Sequence, residues 1–356
     1  MTDAPGPAPQ SPATDAVDRE CMTRAIAAAA RVRCITSPNP WVGAVVRTPG
    51  GRMFEGATRE PGRAHAEIEA LAAAGDTARG ATLHVTLEPC NHTGRTGPCT
   101  QAIIDAGVQR VVVGIEDPDP LVAGSGVERL RDAGIEVTIG VQAEQVTNQL
   151  APYLKHRRTG RPWVILKLAA SLDGGTAAPN GSSQWITSPP ARADGHRLRA
   201  ESDAILVGAG TVRRDDPSLT VRDYRPPVGP DAGSVDPVRV VLGSAPPDAR
   251  VRPCIEAKGP LGDVLDDLGA DGVLQLLVEG GGSVAGDFHR AGLVDRYVIY
   301  LAPALFGGAD AKGLFAGSGA WDISELWRGR FLSVDRVGDD LRIEMAPAVP
   351  ETDDEG

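Results

Sequence analysis

His65-Ala66-Glu67, Pro89-Cys90 and Pro98-Cys99 decide how this chain of 356 residues is read. One imidazole, two thiolates and a carboxylate are the donor set of a hydrolytic zinc site. Three protein ligands fill most of a tetrahedral shell and leave its fourth position to solvent. His65, Cys90 and Cys99 are the candidate ligands. Glu67, two residues past the histidine, is the candidate proton carrier and not a ligand. Taken singly, each piece has an ordinary explanation. A His-x-Glu is a common solvated helix start, and two Pro-Cys pairs serve equally as buried thiols or a disulfide. Their order, and their placement at the ends of expected strands and helices, favours the metal. Cys99 falls at a helix N-terminus, where the helix dipole and a metal both favour thiolate.

The bulk composition bounds the rest. With 42% hydrophobic residues and 43 glycines the chain can bury two ordinary α/β cores. Its 36 basic against 47 acidic residues give a formal charge of −11, which disfavours nucleic acid or an anionic membrane as partner. No apolar run approaches a membrane span, and residues 1–14 lack a signal peptide's apolar centre. Five cysteines, an odd number, suit reduced thiols in the cytoplasm better than a disulfide framework. Cys21, Cys34 and Cys254 receive no role.

The pattern predicts a disordered leader over 1–14, one domain over 15–150, a linker over 151–162, a second domain over 163–347 and an acidic tail over 348–356. In the first domain, helices are expected over 17–32 (capped by Thr14 or Asp15), 64–74, 98–107 and 125–133. Strands are expected over 42–46, 53–57, 82–87, 110–115 and 136–139. This alternation argues a three-layer α/β sandwich. A helix over 144–156 leads to Thr159-Gly160-Arg161-Pro162. Strand cores follow over 163–170, 204–208, 238–242, 274–279, 297–302, 331–337 and 341–345. His84 reads as a packed strand histidine.

The histidine and cysteine pattern fits H-x-E followed by P-C…C, the signature of zinc deaminases of bases and nucleotides. There the cysteines are usually two residues apart; here Asn91 to Pro98 separate them. In that polar, glycine-rich insertion His92 and Arg95 are candidates for substrate recognition, Arg95 being suited to a phosphate. Asn39, in the rigid turn Pro38-Asn39-Pro40, is a further candidate.

These motifs resemble a known family. Thr36-Ser37-Pro38-Asn39-Pro40, His65-Ala66-Glu67 and the run from Leu87 to Cys99 are similar to the deaminase half of the bifunctional deaminase–reductases of riboflavin biosynthesis. The likeness continues through Glu116-Asp117-Pro118-Asp119-Pro120 and Val122-Ala123-Gly124-Ser125-Gly126. In the second half it rests on the runs from Lys167 to Gly174, Ser183 to Ser188 and Asp215 to Arg222. The resemblance implies a cytidine-deaminase-like sandwich followed by a dihydrofolate-reductase-like domain, with Zn2+ and NADPH as cofactors. The first reaction removes the 2-amino group of 2,5-diamino-6-ribosylamino-4(3H)-pyrimidinone 5′-phosphate, and the second reduces its ribosyl group to ribityl. A phosphorylated pyrimidine is thus the expected substrate, and a cytoplasmic homo-oligomer the expected form. An alternative keeps the deaminase alone active, with the C-terminal half a substrate-binding or oligomerisation module.

In the second half, Leu276-Leu277-Val278-Glu279 and the glycines after it read as a strand, a tight turn and a helix start suited to phosphates. G-x-G-x-x-G also fits from Gly280, but so late a glycine turn disfavours an ordinary Rossmann unit. The resemblance assigns cofactor contacts to Ala170, Trp185, Thr211, Asp215, Ser244, Gly281, Gly282, Ser283, Val284, Ala285, Gly286 and Asp287. It assigns substrate contacts to Ser183, Arg199, Leu219, Arg222 and Glu279. Lys167, an ammonium on an otherwise apolar strand, belongs near substrate phosphate or sugar. Arg213 and Arg214 either grip the 2′-phosphate of NADPH or form a solvated basic pair. Two departures from the family pattern bear on reduction: Gly175 stands where a basic residue is usual, and 244–274 is short enough to lack a strand or helix.

Overall fold

The expected strand cores over 82–87, 110–115, 204–208 and 274–279 fall at the buried centres of two sheets. The computed structural model describes residues 12–92, 97–119, 122–228 and 234–348. The chain divides into two compact units whose boundary falls between Thr159 and Gly160.

The first unit runs α1 (Pro12–Arg31), β1 (Gly43–Arg47), β2 (Met53–Ala57), α2 (Ala66–Ala74), β3 (Thr82–Leu87), α3 (Cys99–Asp105), β4 (Arg110–Ile115), α4 (Ser125–Asp132), β5 (Glu136–Ile139) and α5 (Ala143–Thr159). Its sheet has the order β2-β1-β3-β4-β5. The hairpin strand β1 is antiparallel to both neighbours, and β3, β4 and β5 are parallel. Burial on both faces explains the apolar run Val111-Val112-Val113 of β4, while β3, equally buried, alternates Leu83, Val85 and Leu87 with Thr82, His84 and Thr86. Helices α1 and α2 both pack on β1, β2 and β3, α1 touches α5, and α2 touches α3. Two helical layers therefore enclose the sheet, which is the expected three-layer sandwich. Helix α1 begins at Pro12, ahead of Thr14 and Asp15, so neither of the expected caps stands at its start. Proline suits a first helical turn, where its missing N–H has no intrahelical partner to lose. Helix α5 continues to Thr159, through most of the stretch expected as linker.

His84 is fully buried on β3 with its Nε2 2.9 Å from Asp18 of α1. Arg110 of β4 donates to both oxygens of the same carboxylate, at 3.0 and 2.8 Å. The histidine is thus part of a clasp between α1 and two central strands.

The second unit runs β6 (Trp163–Ser171), β7 (Gly175–Ala177), α6 (Pro189–Ala200), β8 (Ala204–Gly208), α7 (Ala209–Asp215), β9 (Val238–Leu242), β10 (Ile255–Ala257), α8 (Leu261–Ala270), β11 (Gln275–Val278), α9 (Gly282–Arg290), β12 (Arg296–Ala302), β13 (Lys312–Gly313), β14 (Gly329–Val337) and β15 (Asp340–Pro347). Its eight-stranded sheet has the order β10-β9-β8-β11-β6-β12-β15-β14. The strands from β10 to β12 are parallel, while β15 and β14 add antiparallel partners at one edge. Two apolar clusters fill this unit, one including Val164, Leu166, Leu276 and Phe288, the other Ile165, Ile205, Leu277 and Tyr300. Alternate residues of β6 and β11 enter each cluster, as the two faces of a pleated sheet require. The short 244–274 stretch carries both β10 and α8.

Candidate active sites

The metal ligands come from three separate starts and ends. His65 is the extended residue before α2, at φ −80° and ψ 166°, so its ring leaves the helix axis at the first turn. Cys90 follows β3 by three residues, and Cys99 opens α3 behind Pro98. His65 Nδ1 lies 3.3 Å from Cys99 Sγ and 3.6 Å from Cys90 Sγ, and all three ligand atoms fall within 4.8 Å of one another. Tetrahedral zinc, with bonds near 2.0–2.1 Å to nitrogen and 2.3 Å to sulfur, sets such N···S pairs about 3.5 Å apart. The donor set fits the ion in type and spacing.

Charge is already prepared there. The Cys99 amide lies 3.5 Å from Cys90 Sγ and donates to it. The hydrogen bond from the Cys99 side chain, with help from His65, pulls the Cys90 thiol down to about 4. Cys99 moves up, because its neighbour's sulfur and burial both oppose a second thiolate. His65 is raised, first by its bond to Cys90. Glu67 is 4% exposed; burial, then the Cys90 charge, pushes its carboxyl up to about 7. A carboxyl near neutrality can both accept and return a proton at working pH.

A cavity of about 420 Å3 opens over this group. Asn39, His65, Glu67, Cys90 and His92 line it, and Arg95 lies outside the described residues. Seven more polar lining residues were not singled out from sequence as site residues: Thr58, Arg63, Glu88, Asp117, Asp119, Tyr153 and Arg157. Burial raises Asp117 to about 6, and it accepts a bond from the Asp119 amide. Glu88, beside the Pro-Cys pair, accepts from the amides of Asp117, Gly124, Gly126 and Val127 at 2.9–3.2 Å. It ties the segment after β4 to the cysteine loop.

The second unit's cavity, about 650 Å3, lies where β8 and β11 end and Lys167 projects from β6. Such carboxyl ends are where parallel sheets receive ligands. Of the expected contacts, Lys167, Ser183, Thr211, Asp215, Glu279, Gly281, Gly282, Ser283 and Val284 line it. Ala170, Trp185, Arg199, Leu219, Arg222, Ser244, Ala285, Gly286 and Asp287 are not in its lining. Ala170 and Ala285 are fully buried, whereas Trp185 is 68% exposed. Asp287 borders a separate hollow at the ends of β9 and β10. Leu219 is buried with φ +55°, and Arg222 donates to the Ser218 hydroxyl at 2.8 Å.

Arg199 forms a two-pronged pair with Glu279, at 2.8 and 2.9 Å. Burial alone would raise Glu279, but the charges of Arg199 and Lys167 outweigh it and hold the carboxyl at about 2. The glycine turn fits a dinucleotide. Gly281 is the extended residue before α9, and a Cβ on Gly280 would lie 2.5 Å from that of Val284. The glycine lets the turn pack against Val284, and amides at such a helix start suit phosphates. Arg214 and Lys312 also line the cavity and complement that charge. A Cβ at Gly175 would lie 2.3 Å from the Phe306 ring, so a larger residue there would require that ring to move.

A zinc deaminase unit followed by a nucleotide-dependent reductase unit is the class that these folds and sites define. Residues 15–115 match the cytidine and deoxycytidylate deaminase zinc-binding region, and residues 162–343 match the RibD C-terminal domain. The riboflavin biosynthesis protein RibD of Escherichia coli (strain K12) is 40% identical over 93% of this chain and 100% of its own. The solved Acinetobacter baumannii RibD (form 1) is 36% identical, with a TM-score of 0.85 over 94% of this chain and 100% of that one. A Thermotoga maritima diaminohydroxyphosphoribosylaminopyrimidine deaminase/5-amino-6-(5-phosphoribosylamino)uracil reductase is 34% identical, with a TM-score of 0.83 over the same shares. The chain belongs to the RibD family of riboflavin biosynthesis proteins.

Proposed function

We propose that the two units act in sequence on one phosphorylated pyrimidine, 2,5-diamino-6-ribosylamino-4(3H)-pyrimidinone 5′-phosphate. The chain is a bifunctional enzyme of riboflavin biosynthesis, a zinc deaminase and an NADPH-dependent reductase. The observation that carries the first activity is the His65–Cys90–Cys99 cluster with buried Glu67 in one cavity. Bound zinc supplies the Lewis acidity that makes water a nucleophile near neutral pH. Glu67 takes a proton from the attacking water and hands protons to the exocyclic nitrogen, so that the C–N bond breaks and ammonia leaves. Asn39 and His92 orient the ring from the cavity wall, and Arg95 serves the phosphate.

In the second cavity NADPH supplies the reducing equivalents. The amides of residues 281–284, with Thr211 and Asp215, hold the cofactor. Lys167, Ser183 and Glu279 meet the opened sugar. Arg199 keeps Glu279 ionised and acts on substrate through it, and Arg222 is the better placed phosphate clamp because it is exposed.

A homo-oligomer is supported by an apolar margin at the β14 edge of the second sheet. There Phe331 and Val334 are 69% and 57% exposed, and Trp321 and Ile323, in the segment before β14, are 92% and 77% exposed. Exposed apolar side chains on and just before an edge strand suit burial against a second copy. Among the described residues no helix is long and apolar enough to cross a membrane, and all five cysteines are free thiols, which agrees with a cytoplasmic site. The deciding experiment is a coupled assay on the diaminopyrimidine phosphate. Ammonia is expected without NADPH, and NADPH consumption once deamination has occurred. No ammonia from zinc-loaded protein would overturn the first assignment, and no NADPH oxidation with the deaminated compound the second.

A further inference from the structure

One wall of the reductase cavity is a strap of chain outside the main sheet. Residues 312–316 line the cavity, as does the glycine turn before α9. Gly307 and Gly317 bracket this strap at φ +74° and +100°, where a side chain would be strained. Its only regular element, β13, is two residues long and pairs with β7 across a register shift. The Thr176 hydroxyl reaches the carbonyls of Lys312 and Gly313, at 3.0 and 3.3 Å. A segment with so few ladder bonds depends on further ties to keep its place.

Those ties come from α9. The Ala316 amide donates to the Gly282 carbonyl at 2.9 Å, and the Phe315 ring sits 5.0 Å from that of His289. Arg290, in the last turn of the helix, donates from Nη1 to the carbonyls of Ala316 and Ser318, at 2.8 and 3.4 Å. Its Nη2 donates to Asp287 at 2.7 Å, which fixes the guanidinium against its own helix. Bare backbone makes room for this arrangement. A Cβ on Gly286 would collide with the Ala316 oxygen, and one on Gly317 would lie 2.6 Å from Arg290 Nη1. Neither Arg290 nor Asp287 is in the cavity lining, so Arg290 acts on the cavity through the strap. The start of α9 thus offers amides to phosphates while its last turn holds a second wall of the same cavity.

We propose that Arg290 is a positioning residue for the reduction: it clamps the strap of residues 312–318 to α9 and so keeps the NADPH cavity formed. This rests on the reductase reading above. The test uses the full chain with NADPH and the deaminated compound. Arg290→Gln is expected to raise KM for NADPH roughly tenfold with a smaller change in kcat, and Arg290→Lys to recover part of the loss. Gly317→Ala, which crowds the guanidinium without removing it, is expected to raise the same KM. Trypsin reads the strap directly, because Lys312 is exposed within it. Cleavage after Lys312, followed by fragment mass, is expected to quicken in the glutamine variant and to slow again with NADPH. Ammonia release is expected to stay at the wild-type rate, since the strap belongs to the second unit. An unchanged KM for NADPH with unchanged cleavage after Lys312 overturns the proposal. So does a loss of reduction that follows the melting temperature and leaves KM alone, which would make Arg290 a stabilising residue only. Wild type that oxidises no NADPH overturns the reductase reading itself, and this proposal with it.

Discussion

Glu67 illustrates how far a single residue could be understood before any coordinates. Its spacing from His65 gave it a proton-carrying part, but the push toward neutrality comes from burial and from Cys90, which sequence does not display. Glu67→Gln is expected to retain zinc by metal analysis while ammonia release falls by roughly 10²- to 10⁴-fold. The zinc group was legible because its residues announce themselves chemically within a short span. Glu88 was not, since its partners are backbone amides 29 to 39 residues further on. Glu88→Ala leaves four such donors without their acceptor and is expected to cost about 2–4 kcal/mol, read from denaturant melts. Tyr153 and Arg157 escaped notice for a similar reason, since a helix after β5 brings them to the first cavity.

At the scale of elements, strands were easier to foresee than helices. Fully buried parallel strands such as β8 and β11 are apolar runs that stand out against any background. Helix α8 hides behind Gly262 and Gly269, whose poor propensity is overridden by Val264, Leu265 and Leu268 entering the core. Helix α6 starts on two prolines and contains Gly195, so local preference again misleads. The glycine turn before α9 was readable, because strand, glycines and helix start follow one another directly. Gly280→Ala sets a methyl against Val284 and should displace the start of α9. NADPH affinity is expected to fall about tenfold or more in a fluorescence titration, with ammonia release unchanged.

Across the whole molecule, the Asp18 clasp makes acid stability predictable. Burial opposes ionisation of Asp18, yet hydrogen bonds from His84 and Arg110 prevail and hold its carboxyl at about 2, below the ordinary 3.8. A depressed carboxyl contributes stability that is complete above its unfolded value and disappears as pH falls through its folded value. Stability should therefore fall between about pH 4 and pH 2 by an amount on the order of 2 kcal/mol, read as lower thermal midpoints. Asp18→Asn is expected to flatten that dependence while lowering stability at neutral pH. The two-unit division adds a second expectation. Chelation of zinc should abolish ammonia release, yet NADPH oxidation with the deaminated compound should persist.

The ligands His65, Cys90 and Cys99 sit at the head of α2, in the loop after β3 and at the head of α3, so the ion acts as a rivet joining three pieces of chain. A cell starved of zinc would then keep its capacity for the later reaction while losing the earlier one. Unprocessed diamine would accumulate upstream, and micronutrient supply would throttle vitamin output at its entrance rather than its exit.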